Sequence, residues 1–542
     1  MRKYKDAALA LSLANLCFFK IWAQVLPGAY GHYFMKQPPS VSINLGVIAS
    51  VLALAAVFWG AVTVARRLPG RWGTELARWG FVLVFIVALN GVRQYLILSA
   101  ALPFWLAPFG DTTLGTAILA LPLAVLLAVR RWRHRLVRVS AAVVVLLAPF
   151  ALVTCAQAAW SAVKTARHMP FAEFADQPPA ASLPAPAEGA PRVLWFLFDG
   201  MEQRRSFSHR SPTLQLPAFD RLRSQAISAN QAYPPAGNTI LTMPALITGR
   251  LLANSRPAGA SELRLTFADD GTSAGWSTQP TLFSRARALG FNTAVVGYYH
   301  PYCRVFGSSL TICSWETDWW HPLGIEDPET SVWRIMRNLA PALLQSVPGV
   351  WRVQSSEPPG AGLQLTASVN ERREHIRHYL DILEQATAAA ANPELSVILV
   401  HWPIPHLPAI YDRTTGRLIA EGRSDYLDNL ALADRALGEV RRAMETAGIW
   451  DRTTLVVTAD HWMNRSDTTD HRVIFLLKLA GQREPVIYQP AFNTLLLHDL
   501  VLAVLRSEIS DPVGAVRWLD ANRARVATPV SEASTRMVKA RP

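Results

Sequence analysis

Hydrophobic residues follow one pattern before residue 165 of this 542-residue chain and a different pattern after it. The first part holds long apolar runs, each approaching or exceeding the roughly 20 residues that an α-helix needs to cross a bilayer. The runs are Ala7–Leu26, Val41–Ala65, Trp79–Ala101, Thr112–Val129 and Val139–Val163. The first run follows a basic start, but it contains Asn15 and Lys20 and lacks a clean small-residue cleavage site, so we interpret it as a retained helix. The pattern therefore predicts an α-helical membrane domain with five transmembrane helices over residues 1–163.

After residue 192 the pattern changes to short apolar runs that alternate with longer runs of helical period. The predicted strands are Val193–Phe198, Asn292–Gly297, Ser396–Val400 and Thr454–Thr458. The predicted helices are Leu216–Ala226, Thr281–Leu289, Ala367–Ala390 and Tyr426–Gly448. Buried strands separated by helices predict an α/β/α sandwich with a mostly parallel sheet over residues 192–510. Residues 164–191 are rich in Pro and Ala and predict a semi-extended linker, and residues 511–542 form a C-terminal tail.

Basic residues are concentrated in short segments of the membrane half and indicate its orientation. The amino terminus and the second and fourth loops hold twelve basic and two acidic residues, hence +10 of the net +13. These residues are Arg2, Lys3, Lys5, Arg66, Arg67, Arg71, Arg78, Arg130, Arg131, Arg133, Arg135, Arg138, Asp6 and Glu75. The first loop holds only Lys36, and the third, Pro103–Asp111, holds no Lys or Arg. The positive-inside rule predicts a cytoplasmic amino terminus, and five crossings place everything after Val163 on the opposite side of the membrane.

The charge distribution also bears on partners. The chain is 51% hydrophobic and 17% charged, and outside the short basic segments it is nearly neutral. A DNA- or RNA-binding function therefore loses its main support, and we expect no nucleic-acid partner. Lys20, Asn90 and Arg93 fall within or near the apolar runs, where a polar group either serves a function such as holding a lipid headgroup or snorkels to the interface. Both interpretations stay open.

Cysteine usage separates the two halves again. Cys17 and Cys155 lie in apolar runs and are most simply packing residues. Cys303 and Cys313 stand ten positions apart in the soluble half, where an oxidising compartment would allow a disulfide. The sequence contains no Cys-x-x-Cys pair of the zinc-binding type.

Acidic and histidine residues follow the predicted strands at the points where the strands end. They are Asp199, His300, His401, His406, Asp460, His461 and His471. Each has an ordinary explanation by itself, such as a turn residue or a structural histidine. In parallel sheets, however, the functional crevice lies beyond the carboxyl ends of the strands, so these residues are expected to converge there. A set of carboxylates and imidazoles suits zinc or manganese.

A helix start at Thr239 supplies a further candidate. The segment AYPPAGNTILTMPALITGR, which begins at Ala232, changes at Asn238 and Thr239 from a loop broken by Pro and Gly to an apolar, helix-like run. A helix amino terminus offers unpaired N–H groups to an anion such as a phosphate. A Thr beside a helix start is ordinarily a capping residue, and Asn238 has the same two interpretations, as a cap or as a donor to a phosphoryl oxygen.

These residues match a set of motifs in combination. Phe198–Gly200 reads FDG, His401–His406 reads HWPIPH, and Thr458–His461 reads TADH. Thr239 lies nine residues before the Thr of a Thr-Gly pair, and Thr239, Thr242 and Pro244 fit a Thr-x-x-Ser-x-Pro pattern. The soluble half thereby resembles the alkaline phosphatase superfamily, and with five preceding spans the chain resembles the membrane-anchored phosphoethanolamine and phosphoglycerol transferases.

The resemblance implies a fold, a site and a reaction. It implies an alkaline phosphatase-like domain in which Thr239 is the nucleophile of a double-displacement phosphoryl transfer, with a phosphorylated Thr as intermediate. It implies a metal site, Zn²⁺ or alternatively Mn²⁺ or another divalent cation, with ligands among Asp199, Thr239, Asp460, His461, His406 and His471. Asn238, His401 and His406 would bind substrate or move protons, and the histidines could also hold a second metal. The donor would be a membrane lipid such as phosphatidylethanolamine, and the acceptor a lipid or glycan of the envelope. The resemblance further implies a bacterial inner membrane, with the soluble domain in the periplasm.

Several positions depart from related patterns. A sulfatase would have Cys or Ser at position 239 and Arg four residues later, where this chain has Thr239 and Met243, so ordinary sulfatase chemistry is disfavoured. Tyr298 stands where a sulfatase Lys would precede His300. Trp462 replaces the Gly that usually follows Asp-His, and no Asp stands three or four residues before His406, which bears on a second metal.

Other functions remain open from the sequence. The same site with water as acceptor would make a phosphatase, a phosphodiesterase or a sulfatase-like hydrolase. A non-catalytic membrane scaffold would be expected to have a broken ligand set. The Trp-rich segment from Ser314 to Trp333 is either a membrane-facing lip or ordinary packing of an insertion.

Overall fold

The computed structural model describes residues 2–527 apart from 20, 23–25, 27–28, 38–39, 70, 99–129, 169–170, 188, 318–330, 345–368 and 464–469. The chain divides into two compact units, each made of several segments. The helical unit comprises Met1–Gly28, Gln37–Phe171 and Trp320–Thr366. The α/β unit comprises Ala29–Lys36, Ala172–Trp319 and Ala367–Pro542.

The described elements are numbered in chain order. The helices are α1 (Arg2–Cys17), α2 (Ala29–Phe34), α3 (Val41–Arg67), α4 (Arg71–Leu98), α5 (Arg130–Leu146), α6 (Ala148–His168), α7 (Phe171–Phe174), α8 (Pro217–Arg223), α9 (Thr239–Thr248), α10 (Leu282–Ala288), α11 (Tyr302–Phe306), α12 (Val332–Leu344), α13 (Val369–Ala391), α14 (Tyr426–Thr446), α15 (Leu497–Leu505) and α16 (Pro512–Asn522). The strands are β1 (Val193–Asp199), β2 (Ile227–Ala229), β3 (Ala232–Tyr233), β4 (Leu252–Pro257), β5 (Leu263–Phe267), β6 (Ser273–Gly275), β7 (Thr293–Tyr299), β8 (Ile312–Thr317), β9 (Val397–Pro405), β10 (Tyr411–Asp412), β11 (Arg417–Leu418), β12 (Thr454–Ala459), β13 (Phe475–Lys478), β14 (Val486–Tyr488) and β15 (Phe492–Asn493).

The helical unit contains three candidate membrane spans within the part of the chain that the structure describes. They are Val41–Arg67, Trp72–Asn90 and Arg135–Lys164, with mean hydropathies of 2.3, 1.5 and 2.4. They correspond to the second, third and fifth predicted runs and are compatible with membrane anchoring. The first predicted run is described only in part, and Thr112–Val129 lies outside the described residues. The number of five therefore stays a prediction.

Helix α12 belongs to the helical unit although it follows the first half of the α/β unit in sequence. Ile335 and Leu339 on α12 are fully buried in one hydrophobic cluster with Phe18 and Val47. Gly46 of α3 permits this approach, because a Cβ there would stand 2.5 Å from Ile335 Cγ2. Most of the Trp-rich segment predicted as a lip or an insertion, residues 318–330, lies outside the described residues.

The α/β unit is built on an eight-stranded sheet in the order β14-β2-β13-β12-β1-β9-β7-β8. Every pairing is parallel except those of β13 with β12 and β2. This confirms the predicted α/β class with a mostly parallel sheet. Strand β1 is buried along its whole length, which explains its near-continuous apolar sequence.

The register of the central strands decides where their carboxyl ends lie. Phe198 of β1 pairs with Ala459 of β12 and with Trp402 of β9. The residues that follow these positions are therefore neighbours at one edge of the sheet. Strand β9 is longer than predicted, because Trp402 and Ile404 are buried apolar residues that extend it beyond His401 to Pro405.

Residues 176–187 of the predicted linker form no helix or strand and are pinned to the α/β unit, whereas its first residues continue α6 to His168 and form α7. Gln177 N–H donates to the Cys303 carbonyl, and Ala180 N–H to that of Leu310. Leu183 N–H donates to Asn292 Oδ1. An extended chain without its own ladder can satisfy its polar groups in this way.

A disulfide joins Cys303 on α11 to Cys313 on β8. It closes a short loop, residues 303–313, that connects α11 to the edge strand β8. Closing such a loop lowers the conformational entropy of the unfolded chain.

We expect the double substitution Cys303→Ser/Cys313→Ser to lower the free energy of unfolding by about 2–3 kcal/mol, the entropy of a loop of this length. Urea denaturation followed by tryptophan fluorescence measures the change. A reductant should destabilise the wild type by a similar amount and leave the double variant unaffected. Equal stability of both proteins in oxidising buffer would contradict the assignment.

Candidate active site

Two buried carboxylates occupy the ends of neighbouring strands. Asp199 ends β1, and Asp460 directly follows β12, the strand paired with β1. Asp460 Oδ1 accepts hydrogen bonds from the backbone N–H groups of Gly200 at 3.0 Å and His461 at 2.7 Å. Gly200 has φ +72°, and a Cβ there would meet His406 Cδ2 at 3.6 Å and His461 Cε1 at 3.9 Å. The tight turn after β1 thus brings both histidines beside the carboxylates.

Thr239 is the first residue of α9, and it points into this group. Its Oγ1 donates to Asp460 Oδ2 at 2.7 Å and lies 3.2 Å from His461 Nε2. His461 Nε2 also lies 3.3 Å from Asp199 Oδ1 and 3.4 Å from Asp460 Oδ2. The structure therefore brings together four of the residues that the sequence singled out, over a sequence span of 262 positions.

The start of α9 is fixed by partners on its side chains and its backbone. Asn238 is the N-cap, and its Oδ1 accepts from Leu241 N–H at 3.1 Å, which is the capping interpretation of this residue. Pro244 has no N–H for the carbonyl of Ile240, and Ser255 Oγ donates to that carbonyl instead at 2.8 Å. The hydroxyl of Thr239 therefore projects from a helix end whose conformation is fixed by these hydrogen bonds.

Asp199, His401 and Asp460 form a group that fits a metal ion. One ligand atom from each lies within 4.8 Å of the others, and all three side chains are buried. His401 Nε2 has no hydrogen-bond partner among the described residues, while Nδ1 pairs with the Tyr302 hydroxyl at 2.9 Å. An imidazole with one nitrogen held by a neighbour and the other unpaired is typical of a metal ligand. His401, which the sequence assigned to substrate binding, proton transfer or a second metal, thus lies with Asp199 and Asp460.

The electrostatics of the group favour a cation. Burial alone would raise the pKa of Asp199, but His406, His461 and His401 lower it to about 2. Burial raises the pKa of Asp460. Burial alone would lower the pKa of His461, yet the carboxylates of Asp460 and Asp199 raise it to about 9. The field that holds a proton on His461 also attracts a divalent cation.

His406 and His471 occupy the margin of the site. His406 Nδ1 pairs with the Leu407 carbonyl at 2.8 Å, and its ring centroid is 6.3 Å from that of His461. His471 stacks on Trp462 with ring centroids 4.0 Å apart. Neither belongs to the three-residue metal group found among the described residues. Their assignment as metal ligands stays a prediction.

Trp462 shapes this margin. A Cβ on Gly237, two residues before Thr239, would stand 2.7 Å from the Trp462 ring. The indole therefore fills space between the loop before Thr239 and His471. A residue that replaces the Gly of related Asp-His motifs thus forms a wall of the site.

Some residues near the site were missed by sequence reasoning. Tyr302, which holds His401, lies on α11 and carries no motif. His375 and His378 on α13 are buried. The ring centroid of Tyr298 lies 6.0 Å from that of His375 and 6.4 Å from that of His401. Burial lowers the pKa of His375 to about 3. The i, i+3 spacing of two histidines on an amphipathic helix was the signal that could have identified this cluster.

Comparisons with known proteins bear on the family of the chain. A family model described as type I phosphodiesterase / nucleotide pyrophosphatase matches residues 193–539, more than half of the chain. No curated protein sequence matches the chain.

Solved structures give distant matches. One is a sulfatase, PsFucS1 from Pseudoalteromonas sp., at 13% identity and TM-score 0.41, covering 58% of this chain and 68% of that one. Another is a phosphonate monoester hydrolase of Agrobacterium radiobacter at 11% identity and TM-score 0.35, covering 59% and 78%. A third is an alkaline phosphatase superfamily protein from Vibrio parahaemolyticus at 14% identity and TM-score 0.36, covering 60% and 69%.

We expect Asp199→Asn and Asp460→Asn to weaken divalent-metal binding at least 10-fold, since each removes a charged oxygen ligand while keeping the side-chain shape. Elemental mass spectrometry of the purified full-length proteins, before and after dialysis against a chelator, measures the retained metal. Asp499→Asn, which alters an ion pair with Arg525, is the matched control and should retain the wild-type content. Wild-type metal content in both site variants would refute the assignment of these carboxylates.

Proposed function

The chain belongs to the type I phosphodiesterase / nucleotide pyrophosphatase family and thereby to the alkaline phosphatase superfamily, and on this basis we propose a specific transfer reaction for it. As a member, it is an enzyme that transfers or hydrolyses phosphoryl or sulfuryl groups. Within that class, we propose that it moves a phosphoethanolamine-like headgroup from a membrane lipid to an acceptor hydroxyl of the cell envelope.

One observation carries the proposal: the Thr239 hydroxyl lies at a helix amino terminus within hydrogen-bond distance of Asp460 and His461. A hydroxyl in this position can attack an anionic phosphorus centre while N–H groups of the helix face the phosphoryl oxygens. Threonine cannot give the formylglycine of the sulfatases, so the site favours phosphorus over sulfur chemistry.

The first step uses groups that are already in place. Thr239 Oγ1 attacks the phosphorus of the lipid phosphodiester, the bond from phosphorus to the diacylglycerol oxygen breaks, and phospho-Thr239 carrying the headgroup forms. Asp460 Oδ2, 2.7 Å from Oγ1, is placed to accept the hydroxyl proton. The diacylglycerol oxygen takes up a proton as it leaves, and His406 at the margin of the site is the candidate donor.

The second step reverses the first with a new nucleophile. An acceptor hydroxyl gives its proton to His406 and attacks phospho-Thr239, the bond from phosphorus to Oγ1 breaks, and Oγ1 regains its proton from Asp460. The backbone hydrogen bonds at the start of α9 keep the Thr239 backbone in position through both steps, so that little reorganisation is required.

A divalent metal fits the residues present. Asp199, Asp460, His401 and His461 would hold it, and Thr239 lies beside them. Such an ion supplies charge stabilisation for the phosphoryl oxygens and makes a hydroxyl easier to ionise. Zn²⁺ is the proposed ion because the ligand set mixes carboxylate and imidazole.

The donor follows from the architecture of the chain. The apolar helices would anchor the enzyme where lipid phosphodiesters are concentrated, and the positive-inside pattern supports a periplasmic α/β unit. The acceptor would then be a lipid or glycan of the envelope.

Hydrolysis is the second candidate, favoured by the description of the matching family as phosphodiesterases. It needs the same residues, with water in place of the acceptor hydroxyl in the second step. The two candidates differ only in the product that carries the headgroup.

We expect exposure of the full-length protein to phosphatidylethanolamine to add one phosphoethanolamine to Thr239, since that residue is the nucleophile. Intact mass spectrometry with peptide mapping detects the adduct, and thin-layer chromatography detects diacylglycerol. Thr239→Ala should lose the adduct and at least about 10³-fold of turnover, whereas Thr239→Ser, which keeps a hydroxyl, should retain part of both.

Other outcomes separate the alternatives. Diacylglycerol release with free phosphoethanolamine, in the presence of envelope lipids and glycans, would favour hydrolysis. An adduct that persists in Thr239→Ala would remove Thr239 from the nucleophile role. A metal-loaded protein without adduct or turnover would support the scaffold interpretation.

A further inference from the structure

Residues Ala29–Lys36 lie between the first two apolar runs in sequence, yet they form part of the α/β unit. Tyr33 and Phe34 are buried in its main hydrophobic core. The Arg304 guanidinium donates to the carbonyl of Met35, and the Thr317 hydroxyl to that of Phe34. Lys36 pairs with Glu316 at 2.6 Å. The segment is therefore a built-in component of the domain that carries the site.

The Tyr33 side chain reaches the nucleophile through one intermediate. Its hydroxyl lies 2.9 Å from His300 Nδ1, and His300 Nε2 lies 3.2 Å from the backbone carbonyl oxygen of Thr239. A carbonyl oxygen can only accept, so Nε2 carries the proton and donates to Thr239. Nδ1 is then an acceptor, and the Tyr33 hydroxyl is its donor. The three residues form one directional chain of hydrogen bonds.

The surroundings maintain this tautomer. His300 is fully buried, and burial away from water favours the neutral imidazole. The ring is packed edge-on against Trp276, with centroids 5.0 Å apart, and against Tyr33 at 5.8 Å. The Thr239 carbonyl selects the tautomer, and the Tyr33 hydroxyl, paired with Nδ1, holds the ring in the orientation that presents Nε2 to Thr239.

We infer that Tyr33 is a positioning residue for the nucleophile: its hydroxyl orients His300, which anchors the backbone of Thr239 at the start of α9. This rests on the proposed role of Thr239. A segment that lies more than 130 residues before the rest of the α/β unit in sequence thus sets the geometry of the reacting hydroxyl.

A packing role alone makes a different prediction. The Tyr33 ring fills core space whether or not it carries a hydroxyl, so Tyr33→Phe would be silent if packing were its whole contribution. If the hydroxyl positions His300, the same substitution leaves Nδ1 without its donor, lets the imidazole shift, and loosens the first turn of α9. A misplacement of about 1 Å at a reacting group can cost about 10²-fold in rate.

The test uses the full-length protein in detergent with bis(p-nitrophenyl) phosphate as substrate. We expect Tyr33→Phe to lower kcat about 10-fold or more with KM within about twofold, because ground-state binding is untouched. Hydrogen–deuterium exchange should be faster in peptides covering residues 236–243 and unchanged elsewhere in the sheet. Metal content should equal that of the wild type.

Tyr488→Phe is the matched control. Tyr488 is also a buried tyrosine, and its hydroxyl donates to Asp520 at 2.8 Å. It lies on the edge strand β14, which three strands separate from β1. This variant should leave kcat unchanged and should not alter exchange at residues 236–243. Equal effects of the two substitutions on kcat would show a general loss of stability and would overturn the inference.

The two readouts separate this inference from the proposed function. A wild type that does not turn over the phosphodiester would count against the proposed function, and the exchange measurement would then decide the role of Tyr33. Wild-type exchange at residues 236–243 in Tyr33→Phe overturns the inference whatever the turnover.

Discussion

Two carboxylates buried beside each other at the ends of β1 and β12 are the constraint on which the site depends. Asp199 and Asp460 carry like charges away from water, an arrangement that is stable only with compensating partners. Asp460 accepts from the backbone N–H groups of Gly200 and His461 and from the Thr239 hydroxyl, whereas Asp199 has the His461 imidazole at 3.3 Å. Those same partners are the groups that the proposed phosphoryl transfer uses. The groups that stabilise the buried carboxylates are thus the same groups that form the site.

The parallel register makes this solution possible. Phe198 pairs with Ala459, so the two acids leave adjacent strands at the same level and on the same edge. Helix α9 then contributes a positive helix end and a hydroxyl, held by the Asn238 cap and by the Ser255 hydroxyl on the carbonyl that Pro244 leaves unpaired. Each feature is local in sequence, and only the sheet brings them into contact.

This distinction explains how much the sequence could predict. The strands, the helix starting at Thr239 and the acids at the strand ends each follow from a short pattern, and the structure reproduces them. The pairing of Tyr33 with His300 joins residues 267 positions apart and has no local signature. The position of His401 beside Asp199 and Asp460 depends on the register of the strands. The stacking of Trp462 on His471 depends on the conformation of a loop. Neither is encoded in spacing along the chain.

The segment around Tyr33 also changes how the α/β domain should be defined. A fragment beginning at Ala172 would contain every strand and every acid of the site. It would lack Tyr33 and Phe34 from the core, and it would leave the buried donors of Arg304 and Thr317 without the carbonyls that they bind. An unpaired buried donor costs roughly 1–3 kcal/mol, and the loss of two aromatic side chains from a packed core costs more. A domain boundary placed at Ala172 therefore removes Ala29–Lys36, a segment that contacts the residues behind Thr239. The stable unit is defined by such contacts and not by continuity of the sequence.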